Sequence, residues 1–118
     1  MSKSKVTIYH NPRCSKSRQT LQLIRDAGVE PEVVEYLKTP PSAEELDSIL
    51  SRLKIEPAAV MRRREPAFKD LGLADRELTR AEAIDVLVEN PSLIERPIVV
   101  KGRKAVIGRP PENVNDLL

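Results

Sequence analysis

The run Val6-Thr7-Ile8-Tyr9-His10-Asn11-Pro12-Arg13-Cys14-Ser15-Lys16-Ser17-Arg18 changes character in its middle. Its first four residues are β-branched or aromatic, the composition of a strand, and Leu21, Ile24 and Gly28 follow Arg18 at the spacings of a helix and its stop. Cys14 therefore sits where a strand hands over to a helix from about Cys14 to Ala27. The first N–H groups of a helix have no partner within it, and the aligned peptide dipoles leave partial positive charge at that end. Both favour an anion, either a bound oxyanion or the thiolate of Cys14. A free thiol titrates near ~8.5, and a helix N-terminus with neighbouring Arg or Lys lowers that value. Arg13, Lys16 and Arg18 flank Cys14 with no acid between His10 and Arg18.

Cys14 is the single cysteine of the chain and His10 its single histidine. A lone cysteine is commonly a small buried hydrophobe. Arg13, Ser15, Lys16, Ser17 and Arg18 are a poor set for burial, however, so Cys14 is expected to be partly exposed and reactive. His10, taken alone, reads equally as a surface or capping residue.

The 118 residues suffice for one domain, 1–118, with one core. That core must be aliphatic, because aromatic residues make up only 3% and Trp is absent. A net charge of +2 supplies no strong field for nucleic acid or anionic membranes, and aromatic and basic residues are not interleaved as a single-strand surface requires. The basic start Met1-Ser2-Lys3-Ser4-Lys5 precedes too short an apolar run for a signal peptide, and nowhere do about 18 apolar residues follow one another. One cysteine makes no internal disulfide, so a reduced, cytoplasmic setting is expected.

Along the chain, the first helix should turn Leu21, Leu23 and Ile24 inward, and Glu32–Tyr36 reads as a second strand. A strand, helix and strand of these lengths form a right-handed parallel βαβ unit. Ser42-Ala43-Glu44-Glu45 and Thr79-Arg80-Ala81-Glu82 are capping boxes. The first opens a helix with Leu46, Ile49, Leu50 and Leu53, the second a helix with Ile84, Leu87 and Val88 inward, closed by Asn90-Pro91. Pro57 and Pro66 break the stretch between them into small helices. Pro97–Val100 and Lys104–Ile107 read as an antiparallel hairpin around Gly102, and a short terminal helix follows. The fold class is therefore α/β, with a mixed four-stranded sheet and a helical insertion between a βαβ and a ββα half. This is the layout of a thioredoxin-like domain with its cysteine between the first strand and first helix.

His10-Asn11-Pro12-Arg13-Cys14-Ser15-Lys16-Ser17-Arg18, Glu35-Tyr36-Leu37, Leu71-Gly72-Leu73, Arg96-Pro97-Ile98-Val99-Val100 and Gly108-Arg109-Pro110 together resemble the glutaredoxin-coupled arsenate reductase family. The resemblance implies that Cys14 attacks arsenate or a similar oxyanion, with His10 helping to set its ionisation. It implies that Arg62, Arg96 and Arg109 hold the oxyanion, that Ser17 and Pro97 are structural parts of the site, and that Pro97 is the cis-proline beside the cysteine. No metal or bound cofactor is expected; glutathione serves as co-substrate and glutaredoxin as protein partner. Two features depart from the best-known reductases: Ser15-Lys16-Ser17 stands in place of Gly-Thr-Ser, and little chain follows Gly108-Arg109-Pro110-Pro111.

The residue types suit that chemistry. Arginine donates two parallel charge-assisted bonds to an oxyanion and keeps its proton. Taken alone, though, Arg62-Arg63-Arg64 reads as a solvated face, whereas Arg96 and Arg109 each precede a proline that holds them in extended backbone. Two other readings use the same cysteine. A thioredoxin-like thiol regulator that binds RNA polymerase would use a Cys-x-x-Cys pair, and the second position in this chain is Ser17. A glutathione-dependent thiol reductase of other substrates would need a groove for the tripeptide rather than three converging charges.

Overall fold

The structure, a computed structural model, describes residues 5–118. The basic start at Met1–Ser4, on which the signal-peptide reading rests, lies outside the described residues. The chain divides into two compact units, one running to Thr39 and resuming from Arg96 to Leu118, the other spanning Pro40–Glu95. The second is the helical insertion anticipated from the sequence.

The first unit holds β1 (Val6–His10), α1 (Ser15–Asp26), β2 (Glu32–Glu35), β3 (Ile98–Lys101), β4 (Lys104–Ile107) and a terminal 3₁₀ segment, Pro111–Leu117. The sheet order is β2-β1-β3-β4, with β1 and β2 parallel and the other pairs antiparallel. This is the mixed sheet of a thioredoxin-like fold. Strand β2 ends one residue earlier than expected, and Tyr36 just beyond it is buried. The hairpin closes through Gly102 and Arg103, with Gly102 at φ 60°, a left-handed conformation that costs any other residue a steric penalty.

Alternation along β1 sends Val6, Ile8 and His10 to one buried face. Val6 and Ile8 meet Ile24 of α1, Val99 of β3, and Val114 and Leu117 of the terminal segment in an aliphatic core. Leu21 and Leu23, expected to point inward, are only partly buried against it. The fully buried residues of α1 are instead Ser17, Thr20 and Ile24, which lie three and four apart. Helix α1 therefore puts a largely polar edge against the sheet. Gly28, at φ 83°, ends it as expected.

In the second unit both capping boxes are complete. Ser42 opens α2 (Ala43–Leu53) and Thr79 opens α4 (Arg80–Glu89), each hydroxyl accepting from the N–H three residues on. Between them lie α3 (Pro66–Asp70) and 3₁₀ turns at Pro57–Val60 and Leu73–Asp75, the broken stretch that Pro57 and Pro66 foretell. Ile84 and Leu87 are buried as expected, but Val88 is half exposed. Among the described residues no helix is long and apolar enough to cross a membrane.

Candidate active site

The turn from β1 into α1 is organised by Asn11, which is buried. Its carbonyl accepts from the Cys14 N–H at 3.0 Å, and its Oδ1 accepts from the Arg13 N–H at 3.0 Å. Its own N–H donates to the Ser17 Oγ at 3.0 Å. The sequence reading gives Asn11 no role; the signal is an Asn before a proline at a strand-to-helix turn, where its side chain can mimic a backbone turn.

Cys14 is the N-cap of α1, in extended backbone and half-buried. Burial by itself would push its thiol pKa up. The Ser17 N–H, the Arg96 guanidinium and the Lys16 N–H outweigh that effect, and Cys14 titrates below its ordinary value. From the sequence, Arg13, Lys16 and Arg18 stand around the thiol as its expected activators. What favours the thiolate is the Ser17 N–H, then Arg96, one of the three arginines the resemblance brings to the thiol although it follows in the chain only after the whole insertion, and the Lys16 N–H. Arg18 donates to the Pro12 carbonyl at 2.9 Å.

His10 is not a surface residue: it is 6% exposed, at the end of the buried face of β1. Its Nδ1 lies 2.6 Å from the Oγ of Ser17, itself fully buried. Burial lowers the His10 pKa from its ordinary 6.5, opposed by Glu35 and assisted by Arg25 and Arg18. Near neutrality the imidazole is uncharged; its tautomer sets which of Nδ1 and the Ser17 Oγ donates to the other, and the Ser17 Oγ also accepts from the Asn11 N–H.

Arg96 and Arg109 come together. The peptides Arg96–Pro97 and Arg109–Pro110 are both cis, the first as the resemblance implies and the second unanticipated. Arg109 Nη1 donates to the Arg96 carbonyl at 3.2 Å, and the Gly108 N–H donates to the Pro97 carbonyl at 2.9 Å. Arg96 is half-buried beside the cysteine, Pro97 is buried, and Arg109 is exposed.

Arg62 belongs to the second unit. The arginine run that alone reads as a solvated face divides there: Arg63 and Arg64 are exposed, Arg62 half-buried. Its N–H donates to the Leu93 carbonyl at 2.7 Å, its guanidinium pairs with Glu65, and its Nε lies 3.9 Å from Glu95. Any oxyanion that recruits Arg62 must compete with two carboxylates. Among the described residues no cluster of His, Cys, Asp and Glu is placed to hold a metal ion.

A mixed β2-β1-β3-β4 sheet that delivers one ionisable cysteine at the start of its first helix defines a thioredoxin-like thiol protein. The comparisons with known proteins narrow that class. Residues 9–117 match the model of the ArsC family. The chain is 53% identical over 114 residues to the uncharacterized protein YfgD of Escherichia coli, covering 96% of each chain. It is 46% identical to an arsenate reductase of Haemophilus influenzae, covering 96% of this chain and 98% of that one. The solved structure of an arsenate reductase from Vibrio cholerae superposes with a TM-score of 0.94 at 46% identity, over 99% of this chain and all of the other. The chain belongs to the ArsC family.

Proposed function

We propose that this protein is an oxidoreductase that reduces arsenate to arsenite, with Cys14 as nucleophile and glutathione and glutaredoxin as external reductants. The observation that carries the reading is the convergence of Arg96 on a Cys14 whose thiolate is favoured, with Arg109 hydrogen-bonded to the Arg96 backbone. A glutathione-dependent thiol reductase of other substrates has no need of a guanidinium held against its thiol. The arrangement in this chain suits a compact tetrahedral anion, because two guanidinium forks and the α1 N–H groups are donors only.

In the reaction the thiolate attacks arsenic, an As–S bond forms and an As–O bond breaks, and the departing oxygen leaves as water after taking up protons. Arsenic is still As(V) at that stage. Two electrons then come from two thiols, which end as a disulfide while arsenic becomes As(III). The chain has one cysteine, so at least one of those thiols is external, a role that falls to glutathione and then glutaredoxin. Arg96 and Arg109 hold the oxyanion, the family resemblance gives Arg62 the same role, and His10 acts on Cys14 only through Ser17. Pro97 and Ser17 keep their structural roles.

Arsenate-dependent oxidation of NADPH, coupled through glutathione reductase, glutathione and glutaredoxin, tests the reading. Turnover that requires both glutathione and glutaredoxin and disappears in Cys14→Ser is the expected result. Turnover that persists in Cys14→Ser, or no turnover with the full mixture, overturns it.

A further inference from the structure

Gly108 is packed so tightly that no side chain fits. A Cβ there would stand 2.6 Å from the Thr20 Oγ1, 3.0 Å from the Thr20 Cγ2 and 2.8 Å from the Pro97 Cγ. None of these neighbours is free to yield. Thr20 is fully buried in α1, its Oγ1 donating to the Lys16 carbonyl at 2.8 Å with the Gly108 carbonyl 3.4 Å away. Pro97 is buried and tied to Gly108 by the 2.9 Å bond from the Gly108 N–H to its carbonyl. Three segments thus meet at one point: the helix that begins at Cys14, the entry to β3 that carries Arg96, and the exit from β4 that carries Arg109.

We propose that Thr20 and Gly108 are positioning residues, which lock the helix carrying Cys14 against the two cis-prolyl segments carrying Arg96 and Arg109. Neither residue is assigned a contact with the oxyanion. Their own contact sets how deeply α1 seats on the sheet, and with it the approach of Arg96 to Cys14. Thr20 is suited to the task because its hydroxyl is held by the helix's own backbone while its two branches fill the space above Gly108. An alanine at either position changes the seating in opposite directions: Gly108→Ala forces the segments apart, and Thr20→Ala leaves a gap between them. The assignment rests on the reading of Cys14, Arg96 and Arg109 as the site.

Two readouts test it on the full chain: the pH dependence of Cys14 alkylation by iodoacetamide, and arsenate kcat/KM in the coupled assay, with thermal unfolding as the check on folding. Gly108→Ala is expected to raise the pH at which Cys14 becomes reactive and to lower kcat/KM by about 10–100-fold, the scale of a small misplacement of reacting groups. Adding Thr20→Ala to it removes two of the three clashing atoms and should recover part of both effects. A folded Gly108→Ala protein with wild-type Cys14 ionisation and kinetics overturns the proposal, and a double variant no better than Gly108→Ala overturns the part assigned to Thr20. Should Gly108→Ala fail to fold, Thr20→Ala decides alone: a shifted Cys14 profile supports the proposal and an unshifted one overturns it. The alkylation arm needs no arsenate, so absence of arsenate turnover in the wild type would count against the proposed function and leave the positioning test intact.

Discussion

The Nδ1 of His10 and the Oγ of Ser17 lie 2.6 Å apart in a buried pair, and the Ser17 N–H is the backbone group that most favours the Cys14 thiolate. The histidine thereby reaches the cysteine through one intermediary. Ser17 is also the acceptor for the Asn11 N–H, so a single hydroxyl joins the end of β1 to the first turn of α1. Ser17→Ala leaves the Asn11 N–H and the imidazole without that partner, and it should cost about 1–3 kcal/mol in urea unfolding. Cys14 alkylation in the same variant should shift to higher pH, since the first turn is no longer tied to Asn11.

The burial of His10 makes folding sensitive to mild acid. Its folded pKa lies below the ordinary 6.5, so between those two values the unfolded chain binds a proton that the folded chain does not. Stability then rises with pH across that window. The contribution is complete above 6.5 and is lost as pH falls through the folded pKa, by about 1.4 kcal/mol for each unit of separation. The Tm of the wild type should therefore fall as pH drops from 6.5, and His10→Gln should show a flatter profile there.

Arg96 and Arg62 should fail in different ways. Arg96 acts on Cys14 directly, so Arg96→Ala should raise the pH at which Cys14 reacts and also lower arsenate kcat/KM, by about 100-fold or more. This is the scale of removing one preorganised charge-assisted donor. Arg96→Lys keeps the charge but not the fork and should recover only part of the loss. Arg62 is engaged by Glu65 and Glu95, so Arg62→Ala should raise the KM for arsenate while leaving the Cys14 alkylation profile in place. A shift of that profile in Arg62→Ala would contradict the division of labour.

The capping boxes offer a stability test that does not touch the site. Thr79 accepts from the Glu82 N–H, and the Glu82 carboxyl is held below the usual range by the bonds it accepts from Thr79, the Thr79 N–H first. Thr79→Ala should lower stability by about 0.5–2 kcal/mol, measured by urea unfolding, and leave Cys14 alkylation unchanged.

Those boxes show what a single sequence carries well. Ser42 with Glu45, and Thr79 with Glu82, are local patterns whose partners lie three residues apart, and both form in the structure. The order of strands and the parallel pairing of β1 with β2 are also readable, because helix length and strand spacing leave few topologies. The burial of His10 is available in principle, since it continues the Val6, Ile8 alternation, but a polar residue at a strand end reads as exposed. Arg13, Lys16 and Arg18 stand out by proximity in sequence, yet charge acts through space, and Arg96 arrives from beyond the insertion. The meeting of Thr20 with Gly108 spans 88 residues. Nothing in either local sequence marks it, because a glycine chosen for close approach looks the same as one chosen for a turn.

Everything proposed for the site depends on Cys14 being a thiolate held ready for an oxyanion by Arg96. The rate of Cys14 alkylation by iodoacetamide at neutral pH, with and without arsenate, in the wild type and in Arg96→Ala, tests this dependence without any coupling enzyme. Rapid alkylation in the wild type, saturable slowing by arsenate, and loss of both in Arg96→Ala are the expected results. Slow alkylation that accelerates only near ~8.5, as for a free thiol, with no response to arsenate, would contradict it.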